Sequence, residues 1–129
     1  FGIETARKLA VDVVKIINRY PQHRYELCSF NENCVQQLID LRICSRGYVF
    51  PYDYTIGVIT SGIPVGMFGH LYDIDFISFN YDIIHDEIID KVKTRNVKLY
   101  AWVCNDINIQ ELMDKCYHLD GIIYDYDST

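Results

Sequence analysis

Short apolar segments alternate with amphipathic helical patterns along the whole chain, and this alternation constrains the fold more than any other feature. The apolar segments are typical of buried β-strands, and they lie at residues 25–30, 47–50, 75–79, 97–103 and 121–124. Strands that alternate with helices pair in parallel through right-handed crossovers. The sequence therefore predicts an α/β protein with a parallel sheet.

Amphipathic patterns predict the helices between these strands. The first helix ends at Pro21, and its inward residues recur at three- and four-residue spacing: Ala6, Leu9, Ala10, Val13, Ile16 and Ile17. The later helices are expected after a cap at Asn31 or Asn33, over residues 82–95, and from a cap at Asn105 or Asp106 to Cys116. Asparagine and aspartate are good caps because their side-chain oxygens accept hydrogen bonds from the first turn.

The run from Tyr54 to Tyr72 carries no Asp, Glu, Lys or Arg, and at ~1.5 Å per residue it is long enough to cross a bilayer. Its four glycines, Pro64, His70 and several hydroxyl groups make its mean apolarity too low for a transmembrane helix. We therefore expect a buried strand, a loop and a short helix near Pro64, and no membrane span.

Two architectures fit this order of elements: an open doubly wound sheet, and part of a (β/α) barrel. An open sheet that binds nucleotides carries a glycine-rich turn after its first strand, whereas the turn here is Asn31-Glu32-Asn33. The pattern favours the barrel slightly and leaves both open. The length of 129 residues predicts a single domain over residues 1–129.

Net charge and cysteine content argue against several classes of protein. A formal net charge of −6 with no cluster of Lys or Arg argues against a nucleic-acid surface. The five cysteines are odd in number and form no C-x-x-C pair, which fits neither a disulfide scaffold nor a zinc site. We expect reduced thiols in a cytoplasmic protein. The alternative that a signal peptide has already been removed stays open.

Three segments carry a more specific signal, in order and at consistent separations. They are Ser29-Phe30-Asn31, Trp102-Val103-Cys104-Asn105 and Asp120-Gly121-Ile122-Ile123-Tyr124-Asp125. Together they resemble segments S-F-[DN], W-T-V-N and D-G-I-I-T-D of the C-terminal part of the glycerophosphodiester phosphodiesterase family. The chain departs from that pattern at Val103, Cys104, Tyr124 and Asp127. These positions would lie beside the mouth of the pocket, so the departures bear on substrate specificity.

The resemblance implies a TIM-type (β/α)8 barrel of the phospholipase-C-like phosphodiesterase kind, of which this chain would supply the C-terminal portion of about five βα units. It implies metal-dependent hydrolysis, with Mg²⁺ or Ca²⁺, of a small-molecule glycerophosphodiester to glycerol 3-phosphate and an alcohol, an activity of lipid metabolism. The family's His-Arg-Gly, Glu-x-Asp, second His and Glu-x-Lys segments have no counterpart here and would precede Phe1. We therefore expect no catalytic residue and no metal ligand in this chain, which alone would be inactive.

The candidate substrate-binding residues of this chain are Trp102, Phe30, Phe79 and Asn105. The aromatic ones fall at or near the carboxyl ends of predicted strands, where barrel active sites lie, and would form an apolar wall for a glycerol or alcohol group. Two alternatives stay open: Phe79 as a core residue and Asn105 as a helix cap. Asp125 and Asp127 also follow the last strand, where a turn is the simpler role.

A second hypothesis comes from another class of protein: a truncated, non-catalytic homologue that acts as a binding or assembly module. Five strands cannot close an eight-stranded barrel, so an isolated chain would expose two sheet edges and an apolar inner face. We expect such a chain to form a homodimer, to pair with a missing N-terminal half, or to flatten its sheet. In a third hypothesis the three motif matches are coincidental and the chain is an unrelated α/β domain.

Overall fold

The computed structural model describes residues 2–45, 54–71 and 73–125. The chain divides into two compact units, Phe1–Val58 with Asp73–Asp75 and Ile59–Tyr72 with Phe76–Thr129. Five strands, paired in parallel within these units, alternate with helices, so the predicted α/β class is confirmed. The barrel architecture and the single domain remain predictions. No helix within the described ranges is long and apolar enough to cross a membrane.

The first unit contains α1 (Ile3–Arg19), β1 (Tyr25–Ser29), α2 (Glu32–Ser45) and β2 (Tyr54–Thr60), whose last two residues belong to the second unit. β1 pairs with β2 in parallel, with Leu27 opposite Ile56. Asn31 caps α2, because its side-chain oxygen accepts from the backbone N–H of Cys34 at 3.0 Å. β2 is the buried strand expected within the uncharged run, and the strand expected at 47–50 lies outside the described residues.

The inward face of α1 is narrower than its apolar pattern predicts. The residues that it buries are Ala6, Ala10, Val14 and Ile17. Leu9 is 46% exposed and Ile16 is 55% exposed, so the expectation that both face the core was wrong. At about 100° per residue, these two side chains lie roughly 100° around the helix axis from the centre of the buried stripe. The three- and four-residue spacing of apolar residues therefore does not by itself determine how wide the buried face of the helix is.

Arg42, in the last turn of α2, joins α2 to the segment that contains Asp73 and Asp75. Its Nη1 donates to Asp75 Oδ2 at 2.5 Å and to the Tyr54 carbonyl oxygen at 3.3 Å. Its Nη2 donates to the Asp73 carbonyl oxygen and to Asp73 Oδ2. Asp75 Oδ2 also accepts from the backbone N–H of Ile56 in β2 at 2.8 Å. The ion pairs therefore fix both the start of β2 and the Asp73–Asp75 segment.

The second unit contains a 3-10 turn (Val65–Phe68), β3 (Phe76–Asn80), a second 3-10 turn (Tyr81–Ile83), α3 (Asp86–Arg95), β4 (Lys98–Trp102), α4 (Ile107–Glu111) with a π-helical continuation (Leu112–Cys116), and β5 (Gly121–Ile122). β4 pairs in parallel with β3, with Ser78 opposite Tyr100, and with β5, with Tyr100 opposite Gly121. Asp106, not Asn105, caps α4, accepting from two backbone N–H groups of the first turn.

Both faces of the sheet in the second unit contribute to its core. Phe76 and Ser78 are buried on one face, and Ile77, Phe79, Leu99 and Ala101 are buried on the other. The helix α3 contacts β4 and buries Ile88, Ile89 and Val92. The helix predicted over 82–95 is therefore present, but it begins at Asp86 because a 3-10 turn follows β3 first.

The short helix expected late in the uncharged run is a 3-10 turn with left-handed backbone. Gly66, Met67 and Phe68 have positive φ angles of 65°, 51° and 58°. Arg95 at the end of α3 holds this turn, because its Nε donates to the Met67 carbonyl oxygen at 3.1 Å. Its Nη2 donates to the carbonyl oxygens of Phe68 and Leu71, each at 3.0 Å. One guanidinium thus donates to three carbonyl groups in and after this turn, and the Phe68 carbonyl oxygen also accepts from the backbone N–H of Leu71.

Replacing Gly66 with alanine should lower the free energy of unfolding by about 1 kcal/mol, because left-handed backbone disfavours any Cβ. No described atom lies within 4 Å of the added Cβ, so no clash adds to this cost. Gly62→Ala is the matched control: it has the same open space without a positive φ, and we expect it to be neutral or slightly stabilising. Equal urea-unfolding midpoints for the two variants would contradict this explanation.

Candidate functional site

The second unit brings aromatic and polar side chains to the carboxyl ends of adjacent parallel strands. β4 pairs with β3 on one side and with β5 on the other, so the residues after these strands lie along one edge. Trp102 ends β4, Asn105 follows it, and Asp125 follows β5. Active sites of (β/α) barrels lie at this edge. It is therefore the candidate functional site of the unit.

Trp102 belongs to a row of aromatic side chains on one face of the sheet. Side chains alternate between faces along a strand, and the register places Phe76 and Ser78 on the same face as Tyr100 and Trp102. The rings of Phe76 and Tyr100 stack with their centroids 4.7 Å apart and their planes at 28°. We refer to Phe76, Tyr100 and Trp102 as the aromatic face.

Gly121 lets β5 approach this aromatic face closely. A Cβ at Gly121 would lie 3.2 Å from two ring atoms of Tyr100, which is tighter than ordinary contact. The absence of a side chain at this position therefore brings the last strand directly against the Tyr100 ring. This gives the glycine of the Asp120–Asp125 segment a packing role in the second unit.

The Trp102 ring is half-buried and held in one orientation. Its Nε1–H donates to the Ser78 carbonyl oxygen on the neighbouring strand at 3.1 Å. The Ser78 hydroxyl, on the same face, is fully buried and has no hydrogen-bond partner among the described residues. A fixed, half-exposed apolar ring at the carboxyl end of a strand can form one wall of a site for a small alcohol-bearing ligand.

Asn105 and Asp125 form a reciprocal hydrogen-bonded pair between the loops that follow β4 and β5. Asn105 Nδ2 donates to Asp125 Oδ2 at 3.0 Å, and the backbone N–H of Asp125 donates to Asn105 Oδ1 at 2.8 Å. We call this pair the Asn105–Asp125 clasp. Both ends of the Asn105 amide are used in it, so in this structure Asn105 positions the two loops and does not cap α4.

Further hydrogen bonds order the backbone between Trp102 and the clasp. The backbone N–H of Cys104 donates to the Ile123 carbonyl oxygen, and that of Ile123 donates to the Ala101 carbonyl oxygen, each at 2.8 Å. Gln110 Nε2, on α4, donates to the Cys104 carbonyl oxygen at 2.7 Å. The loop after β4 is thus fixed from β5 and from α4.

The two other candidate residues lie elsewhere. Phe79 is fully buried, and it lies on the opposite face of β3 from the Ser78 side chain. Phe79 and Trp102 therefore do not line one surface. Phe79 is a core residue, which is the alternative that the sequence left open. Phe30 follows β1 in the first unit and is 60% exposed.

The clasp and the stacked ring of Tyr100 are features that the sequence analysis missed. Asn105 and Asp125 are 20 residues apart, and nothing in local spacing pairs their side chains. Aromatic residues at alternate positions 100 and 102 did carry a signal, since alternate residues of a strand share a face. That signal could have placed Tyr100 beside Trp102.

The thiols of Cys28 and Cys104 have the wrong electrostatic surroundings for a nucleophile. Partial desolvation of the thiol is the larger cause that raises the pKa of Cys28, although the residue remains exposed, and the negative charge of Glu26 raises it further. Burial also raises the pKa of Cys104, which is fully covered. A raised pKa lowers the fraction of reactive thiolate at neutral pH.

Alkylation of Cys28, which is exposed on β1, should therefore be slower at neutral pH than that of free cysteine. Its rate should still be rising at the pH where the rate for free cysteine has levelled off, because the thiolate fraction grows until the raised pKa is reached. Iodoacetamide labelling at a series of pH values, followed by peptide mass spectrometry, measures this. A plateau at the same pH as that of free cysteine, or at a lower pH, would contradict the raised pKa.

Within residues 2–45, 54–71 and 73–125, no group of three or more His, Cys, Asp or Glu side chains is arranged to hold a metal ion. Comparisons of the chain with protein-family models, with curated proteins and with solved structures found no match. Membership of the phosphodiesterase family therefore stays a prediction that depends on the three sequence segments.

Proposed function

We propose that this chain is the C-terminal part of a glycerophosphodiester phosphodiesterase-like barrel. Joined to the preceding part, it would hydrolyse glycerophosphodiesters to glycerol 3-phosphate and an alcohol. One observation carries the proposal: the three family-like segments each lie at or beside the carboxyl end of a parallel strand, at β1, β4 and β5. In (β/α) barrels the substrate is bound at the carboxyl ends of the strands.

The arrangement in the second unit supports a substrate-binding role for Trp102. Its ring is fixed by the Ser78 carbonyl group and remains half-exposed on the aromatic face. In the proposal the ring forms the apolar wall that receives the glycerol or alcohol group. Asn105 acts through the clasp, which holds the loop after Trp102 against the loop after β5.

The divalent cation of the proposed reaction would have to be held by residues outside the described part of this chain. The described residues offer no converging set of three or more carboxylate, imidazole or thiolate ligands, so they do not fit a cation site. In the proposal the metal ligands and the acid–base residues belong to the part that precedes Phe1. In the proposal, the described residues of this chain bind substrate and carry out no chemical step.

Hydrolysis assays of two forms of the protein test this proposal. The 129-residue chain with a glycerophosphodiester and Mg²⁺ or Ca²⁺ should give no turnover. The chain extended by the coding sequence upstream of Phe1 should release glycerol 3-phosphate. Turnover by the 129 residues alone would contradict our assignment of the catalytic residues, and an inactive extended protein would favour the non-catalytic binding module.

A further inference from the structure

A cavity of about 380 Å³ opens at the end of α3 in the second unit, away from the candidate functional site. It is lined by Pro64, Gly66, Met67, Lys91, Thr94 and Arg95. Because α3 connects the parallel strands β3 and β4, its last turn lies at the amino-terminal end of β4. Trp102 and the clasp lie at the carboxyl end of the same strand.

Arg95 has unused hydrogen-bonding capacity at this cavity. A guanidinium carries five N–H donors, one on Nε and two on each Nη. Nε donates to Met67, and the two donors of Nη2 go to Phe68 and Leu71. Among the described residues, neither an acceptor for Nη1 nor a carboxylate partner for the guanidinium is present. Carbonyl oxygens are neutral acceptors, so Arg95 keeps its full positive charge.

Lys91, one turn earlier on α3, brings a second positive charge to the same cavity. Its Nζ lies 3.1 Å from Glu87 Oε1, in a pair whose two side chains are both more than half exposed. An exposed pair of this kind stabilises a protein little, so the ammonium group is free to exchange partners. The described residues that line the cavity include no carboxylate.

We propose that this cavity binds a small phosphate monoester, with its phosphate group between Lys91 and Arg95. Two positive charges match the nearly double negative charge of a monoester phosphate at neutral pH. The two donors of Nη1 are suited to its oxygen atoms. Pro64 and Met67 give the cavity an apolar side for the organic part of the ester. This site does not depend on the proposed hydrolase function.

Titration of the ¹⁵N-labelled 129-residue chain with phenyl phosphate at constant ionic strength tests the proposal. We expect saturable shifts of the amide signals of residues 64–71 and 91–95, with a Kd on the order of 1 mM. Phenol at the same concentrations should cause no such shifts, and inorganic phosphate should bind more weakly because it lacks the apolar part. Absence of saturable shifts, or equal affinity for inorganic phosphate and phenyl phosphate, would overturn the proposal.

Three variants on the exposed side of α3 distinguish binding at this cavity from nonspecific electrostatic attraction to the helix. Lys91→Gln should weaken binding about fivefold, which corresponds to the loss of one exposed ionic contact. Glu87→Gln should strengthen binding, because it releases Lys91 from its present partner. Lys93→Gln makes the same charge change on the same helix outside the cavity lining and should leave the affinity unchanged. Equal weakening by Lys91→Gln and Lys93→Gln would refute a specific site.

Discussion

Replacing Arg42 with alanine should lower the free energy of unfolding of the protein by about 3 kcal/mol. The Arg42 side chain is only 11% exposed and pairs with both Asp73 and Asp75. Its removal leaves two partly covered carboxylates without their cation, and it removes a donor from the Tyr54 carbonyl group at the start of β2. Breaking a partly buried ion pair from one side is costly because the remaining charges stay partly desolvated; the Asp73 and Asp75 side chains are 26% and 39% exposed.

Urea unfolding followed by circular dichroism measures this effect. Arg7→Ala, at an exposed position of α1, is the matched control and should change the stability by less than about 0.5 kcal/mol. Arg42→Lys should recover only part of the loss, because one ammonium group cannot reproduce the paired contacts of a guanidinium. If Arg42→Ala unfolds at the same urea concentration as Arg7→Ala, the ion pairs do not hold this unit together.

The second large effect concerns Trp102, in the chain extended upstream of Phe1 as the proposed function requires. Trp102→Ala should lower kcat/KM for a glycerophosphodiester by about 30-fold, because it removes the apolar wall; this corresponds to about 2 kcal/mol of lost binding. Trp102→Phe keeps an aromatic ring but loses the hydrogen bond to the Ser78 carbonyl group, and it should recover most of the activity.

Ile3→Ala, a truncation of an exposed apolar side chain on α1, should leave kcat/KM unchanged. Thermal melting of each variant shows whether the fold is retained. A Trp102→Ala enzyme that is folded and fully active would remove Trp102 from the substrate site.

Hydrophobic periodicity predicted the parts of the fold that depend on local sequence, namely strands, helices and their order. β1 was expected at 25–30 and lies at Tyr25–Ser29, and the buried strand expected in the uncharged run is β2. Alternation of strand and helix patterns predicted parallel pairing, because a helical crossover returns the chain to the same end of the sheet. Capping chemistry narrowed the starts of α2 and α4 to two residues each, and in both helices one of the two is the cap.

Contacts between distant residues could not be predicted from the same patterns. The left-handed turn at Gly66–Phe68 depends on Arg95, which donates from 27 residues away to the Phe68 carbonyl group. The clasp depends likewise on two loops that meet only after β4 and β5 have paired. Asn105 and its neighbour Asp106 have the same local preference for a helix cap, so the sequence could not decide between them, and Asp106 is the one that caps α4.

The coding sequence immediately upstream of the Phe1 codon tests the central claim most directly. We expect it to continue in frame for roughly 120 residues, the remainder of a barrel of about 250, and to encode His-Arg-Gly followed by Glu-x-Asp. A start codon directly before Phe1, or an upstream segment without these residues, would contradict the assignment of this chain to a glycerophosphodiester phosphodiesterase.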